Sequence, residues 1–197
     1  LSAALPFTGR LSDHVPAHIM VMVGITLFAA GAFLMSGADV NTSFFSLMIF
    51  IVISRFGLAF ILPSLTTAAF SALDPDELNQ GSGALNFLRQ LGGASGISML
   101  VLTMEQRAQF HGDNLTATQT PENFVSRELL GAVGNLMSQH GLPESLHTPG
   151  ALHYLGEIVF AQAYTLGFKD GFLVLAFVFL LALIPAWTMR VKKTTEI

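Results

Sequence analysis

Arg55 and Arg89 are each the lone charged residue of a long apolar stretch, residues 40–73 and 78–104 respectively. A cation among apolar side chains inside a bilayer costs several kcal/mol, so it must snorkel to an interface, face a water-filled cavity, or bind a carbonyl, an acid or a ligand. Ser82, Asn86, Arg89, Gly93 and Gly96 recur at intervals of three and four, which places them on one helical face. Two readings follow for that face. It is a packing seam whose arginine reaches the cytoplasmic interface, or it lines a transport path in which Arg89 and Asn86 contact substrate or a gate. Gly92 and Gly96 add a GxxxG spacing, and with Gly93 they form a candidate surface for close helix approach.

Arg55 lies roughly 18 Å from the outer end of its helix if that helix begins near Ser43, which puts it near the midplane. Residues 14–38, 40–73, 78–104 and 171–189 contain no Asp or Glu, so these stretches supply no counter-ion of their own. Pro63, further along the same helix, removes an N–H and is expected to kink it and free a carbonyl.

The elements that must hold these residues are membrane helices. Each of the four stretches exceeds or approaches the ~20 residues that cross a hydrocarbon core, and none alternates like a barrel strand. The expected fold is therefore an all-α integral membrane domain, residues 1–197, with spans at about 17–36, 43–64, 82–104 and 168–189. Composition agrees, with 52% hydrophobic and 11% charged residues, the latter far below the ~25% of soluble domains. The net charge of −4 is small and unclustered, which argues against a nucleic-acid partner. The absence of cysteine excludes disulfides and thiolate metal sites. The chain opens on the polar connection LSAALPFTGRLSDH rather than on a Met or a cleavable signal, and reads as the continuation of a longer protein.

Loop charges give orientation. Arg10 precedes the first span and Arg190, Lys192 and Lys193 follow the last, whereas GADVNTS carries no positive charge; both ends are therefore expected in the cytoplasm. SALDPDEL falls inside on this count, although it holds no Lys or Arg. Residues 105–166 then lie outside as a helical hairpin on the membrane surface. Thr120, Pro121 and Glu122 resemble a helix start, Val125, Leu129, Val133 and Met137 form an apolar stripe, and Gly141 follows it. Thr148 and Pro149 signal a second start, while HGDNLTATQT and HGLPESLHTPG read as loops. His111, His140, His147 and His153 match no metal template, so no metal is expected. No GxSxG, HExxH or phosphate-cradling glycine loop occurs, and neither catalysis nor a cofactor is expected.

The segments GRLSDHVPAH, FILPSLTTAAFSALDPDE and GSGALNFLRQLGGASGIS, in this order between hydrophobic spans, resemble the C-terminal half of major facilitator superfamily transporters. The likeness is strongest to the fourteen-span drug:proton antiporters of the EmrB/QacA type and runs from about Leu5 to Arg190. Gly9, Arg10 and Asp13 match the second copy of the superfamily's GxxxD loop motif, which in the family latches the cytoplasmic side; His14 and His18 stand where the family tends to have arginines, which opens a dependence on cytoplasmic pH. The resemblance implies the last four spans of a proton-coupled multidrug efflux antiporter in a bacterial inner membrane. Its partners would be the lipid bilayer, the N-terminal half with the coupling carboxylate, a small amphipathic substrate and protons, with room for a periplasmic adaptor. Met48, Phe45, Phe56 and Phe60 could line an apolar cavity. Two alternatives stay open: a specific metabolite or siderophore exporter, and a non-transporting membrane scaffold.

Overall fold

The structure is a computed structural model that describes residues 15–39 and 41–189. The described residues form α1 (Ala17–Ser36), α2 (Phe44–Ser71), a 3-10 turn (Pro75–Glu77), α3 (Leu78–Ala117), α4 (Phe124–Gln139), α5 (Glu144–Leu181) and α6 (Leu183–Thr188). Three of them have the length and apolarity to cross a membrane: Ala17–Ser36, Phe44–Ser71 and the Glu144–Thr188 run, with mean hydropathies of 2.2, 2.3 and 2.3. The protein is thus an all-helical integral membrane protein. The expected fourth span, 82–104, lies within α3; its Asn86, Arg89 and Gln90 dilute the hydropathy of that helix, and it is not among the three.

The described residues fall into two compact units, one drawn from 15–100 and 171–189 and the other from 101–170. In the first, α1 and α2 are joined by a tight turn. Asp39 Oδ1 accepts from the Asn41 N–H at 2.9 Å and from Thr42 Oγ1 at 3.1 Å. Ser43 then caps α2, its hydroxyl accepting from the Ser46 N–H at 3.2 Å. That cap satisfies one of the orphan donors of a helix start. The two helices approach so closely that a Cβ added at Gly57 would lie 2.6 Å from Gly24 O and 2.6 Å from Phe28 N, and one at Gly24 would lie 2.7 Å from Gly57 O. Only hydrogen fits at this crossing. Around it Val21, Ile25 and Ala186 form a buried cluster with Ile61 and Phe179, and the Phe28 and Phe179 rings stack at 4.2 Å.

Helix α2 runs past the expected end at 64 to Ser71, with Pro63 inside it. A proline deletes one hydrogen bond, but the turns on either side keep theirs and an apolar environment offers the backbone no alternative partner.

In the second unit, α3 continues far beyond Met104 to Ala117, so HGDNLTA is helix rather than loop. Asn123 caps α4, accepting from the Val125 and Ser126 N–H groups at 3.0 and 3.3 Å, so the helix starts after Asn123 instead of at Pro121. Gly141, at φ 74°, ends it in the left-handed conformation that glycine tolerates. Helix α5 begins at Glu144, and Pro149, read from sequence as a start, lies within its first turns. Pro149 is the sixth residue of the helix, past the donors that lack intrahelical partners, so it forgoes one backbone hydrogen bond while the turns on either side continue.

Candidate functional site

Arg89 sits on α3 and its Nη2 donates to Thr66 Oγ1 on α2 at 3.1 Å. Thr66 in turn donates to Leu62 O, one turn back, at 2.8 Å. The arginine is therefore held by a neutral hydroxyl whose own proton is committed to the backbone. Asn86, one turn from Arg89, is exposed, as is Arg55 on α2, and among the described residues no hydrogen bond joins Arg55 to Asn86 or Arg89. Arg55 follows the first residue of α2 by roughly 17 Å of helix rise, close to the depth expected from the sequence. Phe45, Met48 and Phe56 are exposed on α2.

Gly92, Gly93 and Gly96 present an open face, since a Cβ added at any of them meets nothing within 4 Å. Gly9, Arg10, Asp13 and His14 lie outside the described residues. His18 is described at the start of α1, beside a groove that it lines with Met22, Val23, Thr26 and Trp187.

A cluster that the sequence reading did not assemble lies in the second unit. Arg107 and His111, four residues apart on α3, converge on one oxygen of Asp170 on α5: Arg107 Nε donates to Oδ2 at 2.5 Å and His111 Nε2 lies 2.7 Å from the same atom. The Arg107 guanidinium also sits over the Phe110 ring, 5.0 Å from its centroid. The clasp depends on small residues nearby. A Cβ at Gly167 would lie 2.8 Å from Met104 O and 2.9 Å from both the Cβ and the N of Ala108, so glycine permits the contact that brings Asp170 to its partners. Sequence reasoning ended the third span at 104 and so left Arg107 in the outer segment without a helical neighbour. The signal was the R-x-x-x-H spacing, which continues the helical period.

The other histidines do not gather. His140 Nδ1 is 2.8 Å from Leu136 O and His147 Nε2 is 2.9 Å from Leu142 O, both local contacts with the backbone. Elsewhere in this unit, Glu105, Gln109, Asp113 and Tyr164 border a groove of about 690 Å³ between the α3 and α5 segments.

The Major Facilitator Superfamily matches residues 1–101, just over half of the chain. The chain belongs to this superfamily. Among its relatives, the colistin resistance protein EmrB of Acinetobacter baumannii is 24% identical over 95% of the chain and 36% of its own length. The multidrug export protein EmrB of Haemophilus influenzae is 27% identical over 92% of the chain and 34% of its own length. The probable multidrug resistance protein EmrY of Escherichia coli is 23% identical over 97% and 36%. The chain thus spans about a third of the length of these relatives. No solved structure matches it. Superfamily membership marks the chain as part of a membrane transporter rather than an enzyme, and supports the expectation drawn from NFLRQLGGASG and its flanking segments.

Proposed function

We propose that this superfamily chain forms the C-terminal wall of a proton-coupled multidrug efflux antiporter. The four-span topology belongs to this reading, with 82–104 of α3 as the third crossing, both ends cytoplasmic and 105–166 outside. The other half of the transporter, with its coupling carboxylate, is the required partner, and alternating access rocks the two halves around a midplane site. Amphipathic compounds and protons are the substrates, and a periplasmic adaptor is a further partner of the outer segment.

The observation that carries the reading is the environment of Arg89. A guanidinium in a helix flanked by apolar stretches, bonded to a neutral threonine and not to an acid, keeps its full charge available. Even with one charged partner such a bond contributes no more than about 1.5–3 kcal/mol, so a substrate or a carbonyl of the moving half can replace it. The names of the three relatives, all resistance or multidrug export proteins, support drug export over a scaffold role.

The test is efflux in proteoliposomes carrying the complete transporter. Arg89→Ala and Arg55→Ala are expected to insert at normal levels and lose efflux, with lysine at either place rescuing only partly because it lacks the planar fork of donors. Normal efflux by Arg55→Leu would remove Arg55 from the mechanism. Topology has its own test, made clean by the cysteine-free sequence. A cysteine at Asn41 should react with an impermeant external reagent and one at Asp76 should not; equal labelling of both would break the four-span arrangement.

A further inference from the structure

We propose that His111, held by Asp170 beside Arg107, is a proton-binding site of the transport cycle. The proposal rests on the proton-coupled reading above and adds a site in this half of the transporter to the coupling carboxylate expected in the other.

The geometry fixes the protonation chemistry. Asp170 Oδ2 accepts from Arg107 Nε and lies 2.7 Å from His111 Nε2. An ionised carboxylate only accepts, so Nε2 must carry hydrogen, and in the neutral ring this leaves Nδ1 as the acceptor. In that state the carboxylate and the guanidinium balance. A proton arriving from water adds to the lone pair of Nδ1, and the ring becomes an imidazolium while its Nε2–H bond to Asp170 persists as an ion pair. The net charge of the three groups rises from zero to +1. No bond in the clasp has to break for the proton to enter.

The same step gives the site a way to report its state. Two cations then compete for one carboxylate oxygen, and they differ in exposure: the Arg107 side chain is 44% exposed and that of His111 only 21%. Arg107 is the partner that water can take over. Proton binding therefore loosens the Arg107 arm between the α3 and α5 segments, while the His111 arm tightens. A purely structural clamp needs only the arginine; a histidine on the same oxygen adds the one side chain whose charge ordinarily changes near neutral pH.

Among the described residues, the charged groups in contact with His111 are Asp170 from α5 and, through the shared oxygen, Arg107 from its own helix. Phe110, also on α3, meets the imidazole edge-on at 5.7 Å. Lys169 adjoins Asp170 in sequence, and Glu105 and Asp113 line the groove instead; α4 makes no ion pair with the cluster.

The test uses the complete transporter in liposomes, with ethidium as the probe, and compares His111→Gln with wild type. Glutamine retains a donor for Asp170 but cannot take up a proton. The expected result is normal insertion and normal ethidium exchange at equal pH on both sides, with loss of efflux driven by a pH gradient. Gradient-driven efflux at the wild-type rate, with an unchanged pH profile, would overturn the proposal. If His111→Gln inserts poorly, Asp170→Asn, which removes the charge that holds the imidazolium, decides with the same two readouts. If wild type itself ignores the gradient, the antiport reading fails. The site is then judged by back-titration of purified protein between about pH 5 and 8, the range in which histidine changes charge. One proton fewer in His111→Gln supports the site and an equal count rejects it.

Discussion

Two sets of glycines on neighbouring helices of this chain have opposite surroundings. Gly24 on α1 and Gly57 on α2 face each other across backbone contacts that leave no room for a methyl group. Gly92, Gly93 and Gly96 on α3, the more conspicuous set in sequence, meet nothing within 4 Å. The closed seam holds α1 against α2. The open face, flanked by exposed Phe87, Leu88, Leu91 and Ile97, is apolar surface that lipid or further protein must cover. A small-residue spacing therefore states that a helix permits close approach, not that a partner from the same chain provides it.

The largest expected effect tests the closed seam. Gly57→Leu should abolish accumulation of the folded chain, because the side chain would have to displace backbone on α1; Gly57→Ala should lower thermal stability by about 1–3 kcal/mol, the usual cost of overpacking. Melting in detergent micelles measures both. Gly96→Leu sharpens the comparison: this chain alone should melt as wild type does, whereas the complete transporter should accumulate poorly if the other half packs on this face. Equal tolerance in both would make the α3 glycines a lipid-facing surface.

A second contrast separates the two arginine sites. Arg107 has an acid and Arg89 only a hydroxyl. Asp170→Ala strips Arg107 and His111 of their shared acceptor and is expected to cost about 1 kcal/mol of stability, kept small because Arg107 is already partly hydrated. High salt should shrink that difference, and a loss independent of salt would point to packing around Gly167 instead. Thr66→Val should have the smallest effect, under about 1 kcal/mol in melting, because it removes a single bond between an exposed guanidinium and a neutral hydroxyl. Efflux kinetics in the same variant then show whether Thr66 restrains Arg89.

Much of the architecture could be read along the chain because it is local. Uncharged runs force backbone groups into helical bonds in lipid, Ser43 offers an N-cap, and Gly141 supplies the one left-handed glycine among the described residues. Arg55 and Arg89 stood out for the same reason, since a lone charge in an apolar run needs no partner to be noticed. Helix ends were less legible. Pro149 and the polar run after Met104 looked like boundaries, yet α5 and α3 continue through them, and α2 runs on to Ser71 past the end expected at 64.

What the sequence determined by itself is the class of the protein: membrane-spanning helices, superfamily motifs in order, and cations placed where a soluble protein would not keep them. The tertiary structure alone decided the pairings. Asp170 is 63 residues from Arg107 and 59 from His111, and the three meet where Gly167 packs closely on Met104 and Ala108. It also decided which glycines close a seam, because spacing along one helix carries no information about the backbone that meets it. Local chemistry fixes whether a segment is a helix; the partners of its side chains depend on how distant segments pack.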